Sequence, residues 1–243
     1  MTQIQTASAS APEPSLPARL AGVIFSPRAT YAAVAAAPRI LGALAFVLVV
    51  TSVSLFAFLS TEVGRQAMID QQVRQMESFG RPMNDAQYAR MEQVAPYGRY
   101  FGAGAQLVTL PLAALVVAAL AFAVFNAILG GDAAFKQAYA VVAHSGVIIA
   151  LQQIFTLPLA YARESLSGST SLAVFFPFLD ESTFAARLLG AIDLFLIWWL
   201  VSLAIGFGVL YRRRTAPIAT TLLLIYASIG LIIAALKTAM SGV

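Results

Sequence analysis

Five apolar stretches with almost no charge occupy most of this chain, at about 40–60, 102–129, 136–161, 187–210 and 216–236. Each reaches the ~20 residues that an α-helix needs to cross about 30 Å of hydrocarbon. Helices of a soluble domain would instead carry one apolar stripe and one polar face. The expected fold is therefore all-α: a polytopic membrane protein, a bundle of five transmembrane helices. An extramembrane helical hairpin separates the first two, and short interfacial helices lie at the N-terminus.

Composition supports this and excludes other classes. Of 243 residues, 60% are hydrophobic and 11% charged, with a mean hydropathy of +0.81. That is far from a disordered chain or an ordinary globular enzyme, and five spans leave no room for a separate catalytic domain. There is no cysteine, hence no disulfide and no thiolate nucleophile or ligand. The net charge of +4 is not a nucleic-acid signal; in membrane proteins basic excess marks cytoplasmic loops. No cofactor and no metal is implied.

Residues 1–17 are polar and rich in Ala, Ser and Pro, without the basic and apolar regions of a signal peptide. They are expected to be a disordered tail. Residues 18–39 follow as interfacial helices: Ser26-Pro27 reads as a helix start, and Arg19, Arg28 and Arg39 flank apolar patches. The membrane domain then covers 40–238.

After the first span the chain turns polar but keeps a helical rhythm. Asp70 stands four residues before Arg74, the favourable order for an ion pair. Gly80-Arg81-Pro82 breaks the pattern, and Asn84 with Gln87 restarts it as a capping box. Five Arg and five acidic residues cancel across this hairpin, which reads as a solvated face. In the second span Pro111 predicts a kink. Gly130 and Gly131 end that span, Asp132 is expected to cap the third, and Lys136 opens it, so the two should be antiparallel neighbours.

Arg212, Arg213 and Arg214 abut the fourth span and form a basic loop. Read as cytoplasmic, they place the N-terminus and the Gly-Gly turn inside. The inside segments then hold seven positive residues against Glu13 and Asp132, and the outside segments eight against eight. The short loops carry the bias, so the N-terminus is expected in the cytoplasm.

Asp193 is the one carboxylate within a span. At mid-helix it would cost about 2.5–3.5 kcal/mol, which the apolar residues from Leu194 to Leu210 offset at about 0.3–0.6 kcal/mol each. It must face protein or water, about 9 Å below Arg187. Gln152 and Gln153 fall at similar depth, about 24–25 Å from Lys136. Asp193 is expected to bond Gln152, Gln153 or Lys237. His144, the only histidine, lies near the midplane beside Ser145. These residues form an intramembrane polar cluster that is either a structural clamp or a proton or cation site. Trp198 and Trp199 read as packing residues, and Ser202 with Gly206 as a close-approach face.

Three segments carry a family resemblance. The string FFPFLDESTFAARLLGAIDLFLIWWLVSLAIGFGVLYRRR resembles the fourth span of bacterial members of the Yip-domain family (Ypt/Rab-interacting membrane proteins), with Asp193, Phe195, Trp198 and Gly206 matching its pattern. GGDAAFKQAYAVVAHS resembles the family's Gly-Gly turn and third span, and IFSPRATYAAVAAAPRIL its segment before span one. The resemblance covers about residues 16–238. One departure is His144-Ser145-Gly146, where the family often has Tyr-Ser followed by Pro. The resemblance implies a five-span bundle with a cytosolic N-terminus. Eukaryotic relatives bind prenylated Rab-type GTPases in vesicle traffic; bacterial ones bring a fold and a location rather than an activity.

No zinc-protease motif, nucleophile elbow, Walker loop or carboxylate pair is present, so an enzyme is not expected. The leading reading is a non-enzymatic membrane scaffold in a bacterial inner membrane. Its expected partners are the lipid bilayer, an unidentified membrane or cytosolic protein and, in a homo-oligomer, its own copies. The alternative is a small transporter or channel with a polar path through Asp193, His144 and Gln152/Gln153.

Overall fold

A computed structural model describes residues 14–166, 168–180 and 182–240. The expected disordered tail falls mostly on residues 1–13, outside the described residues. Its end is corrected: Leu16 and Pro17 already belong to the first helix, since Pro tolerates the first helical turn, where its missing N–H costs nothing.

The described residues are α-helical, with short 3-10 and π segments. The helices are α1 (Leu16–Phe25), α2 (Pro27–Ala36), α3 (Leu41–Leu59), α4 (Glu62–Ser78), α5 (Asp85–Val94), α6 (Gly98–Phe122), α7 (Phe135–Ser145), α8 (Val147–Ala162), α9 (Phe184–Gly190), α10 (Leu194–Leu210) and α11 (Thr215–Met240). Among the described residues four stretches are long and apolar enough to cross a membrane: Leu41–Leu59, Asp85–Ile128, Phe135–Ala162 and Thr215–Met240. The fourth expected span is divided. Its longer piece, α10, has 17 residues and falls just short of that length.

The α7–α8 rod is the middle of the bundle. In its most apolar window 56% of residues are buried, against 22%, 6% and 11% for the other three long stretches. α3 packs on α6 and α8, α6 on α7, and α10 on α7, α2 and α11. The outer helices turn large apolar side chains outward, among them Val49 and Val53 of α3, Leu107, Val108 and Leu120 of α6, and Leu224, Ile225 and Ile232 of α11. Such faces are stable against lipid tails and costly against water.

The two N-terminal helices pack into the bundle. α1 and α2 bury Leu20, Val23, Tyr31 and Val34, and α2 lies on α10 and α7. A Cβ on Gly206 would stand 2.5 Å from Val141 and 3.2 Å from the Tyr31 ring, so the absence of a side chain there is what lets α2 and α7 reach α10. The Tyr31 hydroxyl is 2.6 Å from Ser202 Oγ within this seam.

Between α3 and α6 the chain runs helix–turn–helix. Thr61 accepts from Gly64 N–H to start α4, and Asn84 and Gln87 make a reciprocal capping box at the start of α5. Asp70 accepts from Gln66, while Arg74 reaches Ser165, so the expected Asp70–Arg74 pair is replaced by separate partners. α5 passes through a 3-10 turn at Ala95–Tyr97 into α6, and α6 runs through Pro111 without ending.

The turn after α6 differs from expectation in its cap. A π segment at Ala123–Ile128 closes onto Gly130, whose φ of +67° favours glycine. Asp132 does not cap α7. The helix starts three residues later, with Ala134 as the flanking residue, and Gln137 Oε1 accepts the Ala134 N–H at 2.8 Å. The Gln137 amide also donates to Ala35 O, tying α7 to α2. One side chain thus serves both the helix end and the tertiary contact, which a cap at Asp132 would not do. α7 and α8 are interrupted only at Gly146, beside Val47 of α3.

Candidate functional site

Asp193 is not within a continuous helix. The fourth apolar run is broken at 191–193, and Asp193 has extended backbone angles as the N-cap of α10. Its Oδ1 accepts from Leu196 N–H at 3.0 Å. A carboxylate there satisfies an orphan amide and faces the positive end of the helix dipole, a better place than mid-helix.

The break exposes backbone groups, and neighbouring chain satisfies them. Leu172 N–H donates to Ile192 O at 2.9 Å, and Leu194 N–H donates to Thr170 O at 3.0 Å. The pairing is an antiparallel bridge between Ser171 and Asp193. From the other side Tyr226 of α11 accepts the Asp193 N–H and donates to Ala191 O, both at 2.8 Å. Away from water, non-helical backbone survives only where protein supplies partners, and here it does.

The second carboxylate oxygen collects side chains. Asp193 Oδ2 accepts from Gln152 Nε2 at 3.0 Å and from the Thr170 hydroxyl. Gln152 also lies 3.3 Å from Thr170 Oγ1. The node thus joins α8, the loop at 168–172, α10 and α11. A cavity of about 620 Å³ adjoins it, with Gln71, Gln72 and Gln75 of α4 facing Gln152 and Gln153 across it.

The other expected members do not bond Asp193. Gln153 lines the cavity. Lys237 places its ammonium 5.3 Å from the Phe79 ring centre. His144 is fully buried on α7, with Nδ1 2.8 Å from Ala140 O, Nε2 without a hydrogen-bond partner, and no share in the lining of this cavity. Ser145 donates to Val142 O and accepts from Trp199 Nε1 at 3.0 Å, so the pair forms no relay toward Asp193. Among the described residues no three His, Cys, Asp or Glu side chains converge as a metal site would. Thr170 and Tyr226 were not singled out in the sequence; a Thr in a Ser/Gly-rich loop and a Tyr in an apolar run carry no signal by themselves.

At the opposite end the two tight loops meet. Arg213 Nη2 donates to Leu129 O at 2.7 Å, and the Phe125 and Tyr211 rings stack at 4.6 Å. A Cβ on Gly131 would lie 2.7 Å from the Tyr211 ring, so Gly131 is required by close approach. Arg212 and Arg214 are exposed.

A family model described as the Yip1 domain matches residues 21–236. No curated protein and no solved structure matches the chain.

Proposed function

The chain belongs to the Yip1-domain family, and from that premise, for an integral membrane protein with these apolar helices, we propose a non-enzymatic five-span scaffold that organises the bilayer or recruits partner proteins. The family is not one of enzymes. In this reading α10 is the fourth crossing. Its 17 residues span about 25 Å, at the lower limit for a membrane helix, and the extended 191–193 segment with α9 completes the passage. The N-terminus, the Gly-Gly turn and Arg212–Arg214 lie in the cytoplasm of a bacterial cell, and the exposed Arg212 and Arg214 are the contact for a cytosolic partner.

The observation that carries the scaffold reading is that Asp193 is tied by hydrogen bonds to three separate parts of the chain. Both of its oxygens are held by donors within the protein, and its own N–H is taken by Tyr226. Donors from α8, the 168–172 loop and α10 converge on this one carboxylate, which is the arrangement of a clamp between elements. Domain limits follow the same reading, with α1 and α2 as the N-terminal element and 40–238 as the membrane domain.

A second reading has one favouring observation: the Gln-lined cavity beside Asp193. A polar path through it would make the protein a small transporter or channel. Reconstitution in liposomes separates the two. The scaffold shows no proton-coupled or cation flux in wild type or in Asp193→Asn; substantial wild-type flux, lost in a folded Asp193→Asn, overturns it.

A further inference from the structure

A second cavity, of about 870 Å³, shares a wall with the first and opens toward the same end of the bundle. It is bounded by α4, the loop after α8, α9 and α11. Each contributes a cation: Arg74, Arg163, Arg187 and Lys237. Among the described lining residues there is no Asp or Glu. Arg74, Arg163 and Lys237 bring three positive charges to one opening. An anion held among these three is attracted by each of them in a partly enclosed volume.

The rest of the wall is apolar. On α11, Tyr226, Ile229, Ile233 and Lys237 share one face, and Val174 and Phe176 lie across from them. Lys237 stands eleven residues after Tyr226 on α11, so the face descends about 16 Å along the helix, from the cationic rim to the level of the Asp193 node. Ile229 is 50% exposed and Ile233 40%, so this wall is open to the lipid side. A small soluble anion would fill only the rim. A ligand with a phosphate head and a hydrocarbon tail matches both parts.

We propose that this cavity binds one anionic phospholipid, its phosphate among Arg74, Arg163 and Lys237 and one acyl chain laid along Ile229 and Ile233 of α11. This goes beyond the scaffold reading and does not depend on whether Asp193 is a clamp or a conduit. It gives the bundle a lipid preference on the face that carries α9 and the 168–180 loop.

The test uses the full chain purified in a neutral detergent, with phosphatidylglycerol as the probe. Phosphatidylcholine and inorganic phosphate are the two comparisons. Native mass spectrometry should retain one phosphatidylglycerol per chain, and that lipid alone should raise the unfolding temperature. The Arg163→Gln/Lys237→Gln variant should bind it about thirtyfold more weakly, from the loss of two charges, while Arg163→Lys should stay near wild type. Equal retention of phosphatidylcholine, protection by inorganic phosphate as strong as by the lipid, or undiminished binding by the double variant would overturn the proposal. Should that variant fail to fold, wild type carries the test: phosphatidylglycerol with a photoreactive acyl chain should label the Ile229–Lys237 face, and labelling confined to other helices overturns it.

Discussion

The Tyr226 hydroxyl accepts the backbone N–H of Asp193 at 2.8 Å, so a helix far along the chain completes the break that starts α10. The same hydroxyl donates to Ala191 O. Tyr226→Phe removes both bonds without changing shape and leaves a donor and an acceptor facing an apolar ring. The expected cost is about 1–3 kcal/mol. Thermal unfolding in detergent, followed by circular dichroism, should show a lower midpoint with unchanged helix content. A midpoint equal to wild type would mean that the bridge carries no stability.

Asp193 itself separates charge from geometry. Asp193→Asn keeps an oxygen for the Leu196 N–H, loses the charge at the helix start and turns an NH2 toward Gln152 and Thr170, which must reorient to accept from it, at a cost of about 1–2 kcal/mol. Asp193→Ala removes the cap and strands the Gln152 and Thr170 donors, at about 2–4 kcal/mol. Alanine should therefore be the worse substitution in the same unfolding assay. The reverse order would show that an amide set against the Gln152 and Thr170 donors costs more than a missing side chain, and that the cap bond to Leu196 carries little.

How far these features could be read beforehand depends on their range. Long apolar runs are visible because lipid demands a continuous stretch, and the Asn84–Gln87 cap because both partners lie within one turn. Gln152 could be set beside Asp193 because a helix rises a fixed distance per residue, which makes depth a ruler. No such ruler exists for Thr170, which arrives from a loop, nor for the interruption at 191–193, whose hydrogen-bond partners sit on other elements. Depth already sets His144 about 9 Å from Asp193, too far for direct contact, and in the fold His144 is buried against Ala140 O, outside the lining of the Asp193 cavity. The Asp132 cap failed for a related reason: the cap used is Gln137, whose second bond to Ala35 is tertiary.

The Gly-Gly turn offers two glycines with different reasons to be there. Gly130 has φ +67° and nothing within 4 Å of a built Cβ, so Gly130→Ala costs only backbone strain, about 1–2 kcal/mol. Gly131→Ala would put its Cβ 2.7 Å from the Tyr211 ring and 2.8 Å from Phe125 O, and a backbone oxygen cannot swing away. It should cost more, about 2–3 kcal/mol, and should disturb the Phe125–Tyr211 stack. Tyrosine fluorescence with thermal unfolding of the two variants checks the order.

Orientation is testable because the chain has no native cysteine. Single replacements at the exposed Arg214 and Asp85 report on opposite ends of the bundle. In intact cells an impermeant maleimide should label Asp85→Cys and spare Arg214→Cys until the membrane is opened. Labelling of Arg214→Cys from outside would invert the proposed topology.

The buried Tyr31–Ser202 bond predicts an asymmetry between its two ends. Both residues are nearly inaccessible, at 0% and 2% exposure, and the oxygens are 2.6 Å apart. In Tyr31→Phe the Ser202 hydroxyl still has a fallback, because a helical serine can turn to the carbonyl four residues earlier. The loss should be about 1 kcal/mol. In Ser202→Ala the Tyr31 hydroxyl, enclosed between α2 and α10, has no such local acceptor and is stranded, at about 2–3 kcal/mol. Combining the two removes the stranded group, so the double variant should be at least as stable as Ser202→Ala alone. A thermal double-mutant cycle reads this directly. Additive losses would show that the two hydroxyls do not depend on each other, and that α2 is held to α10 by the close approach at Gly206 alone.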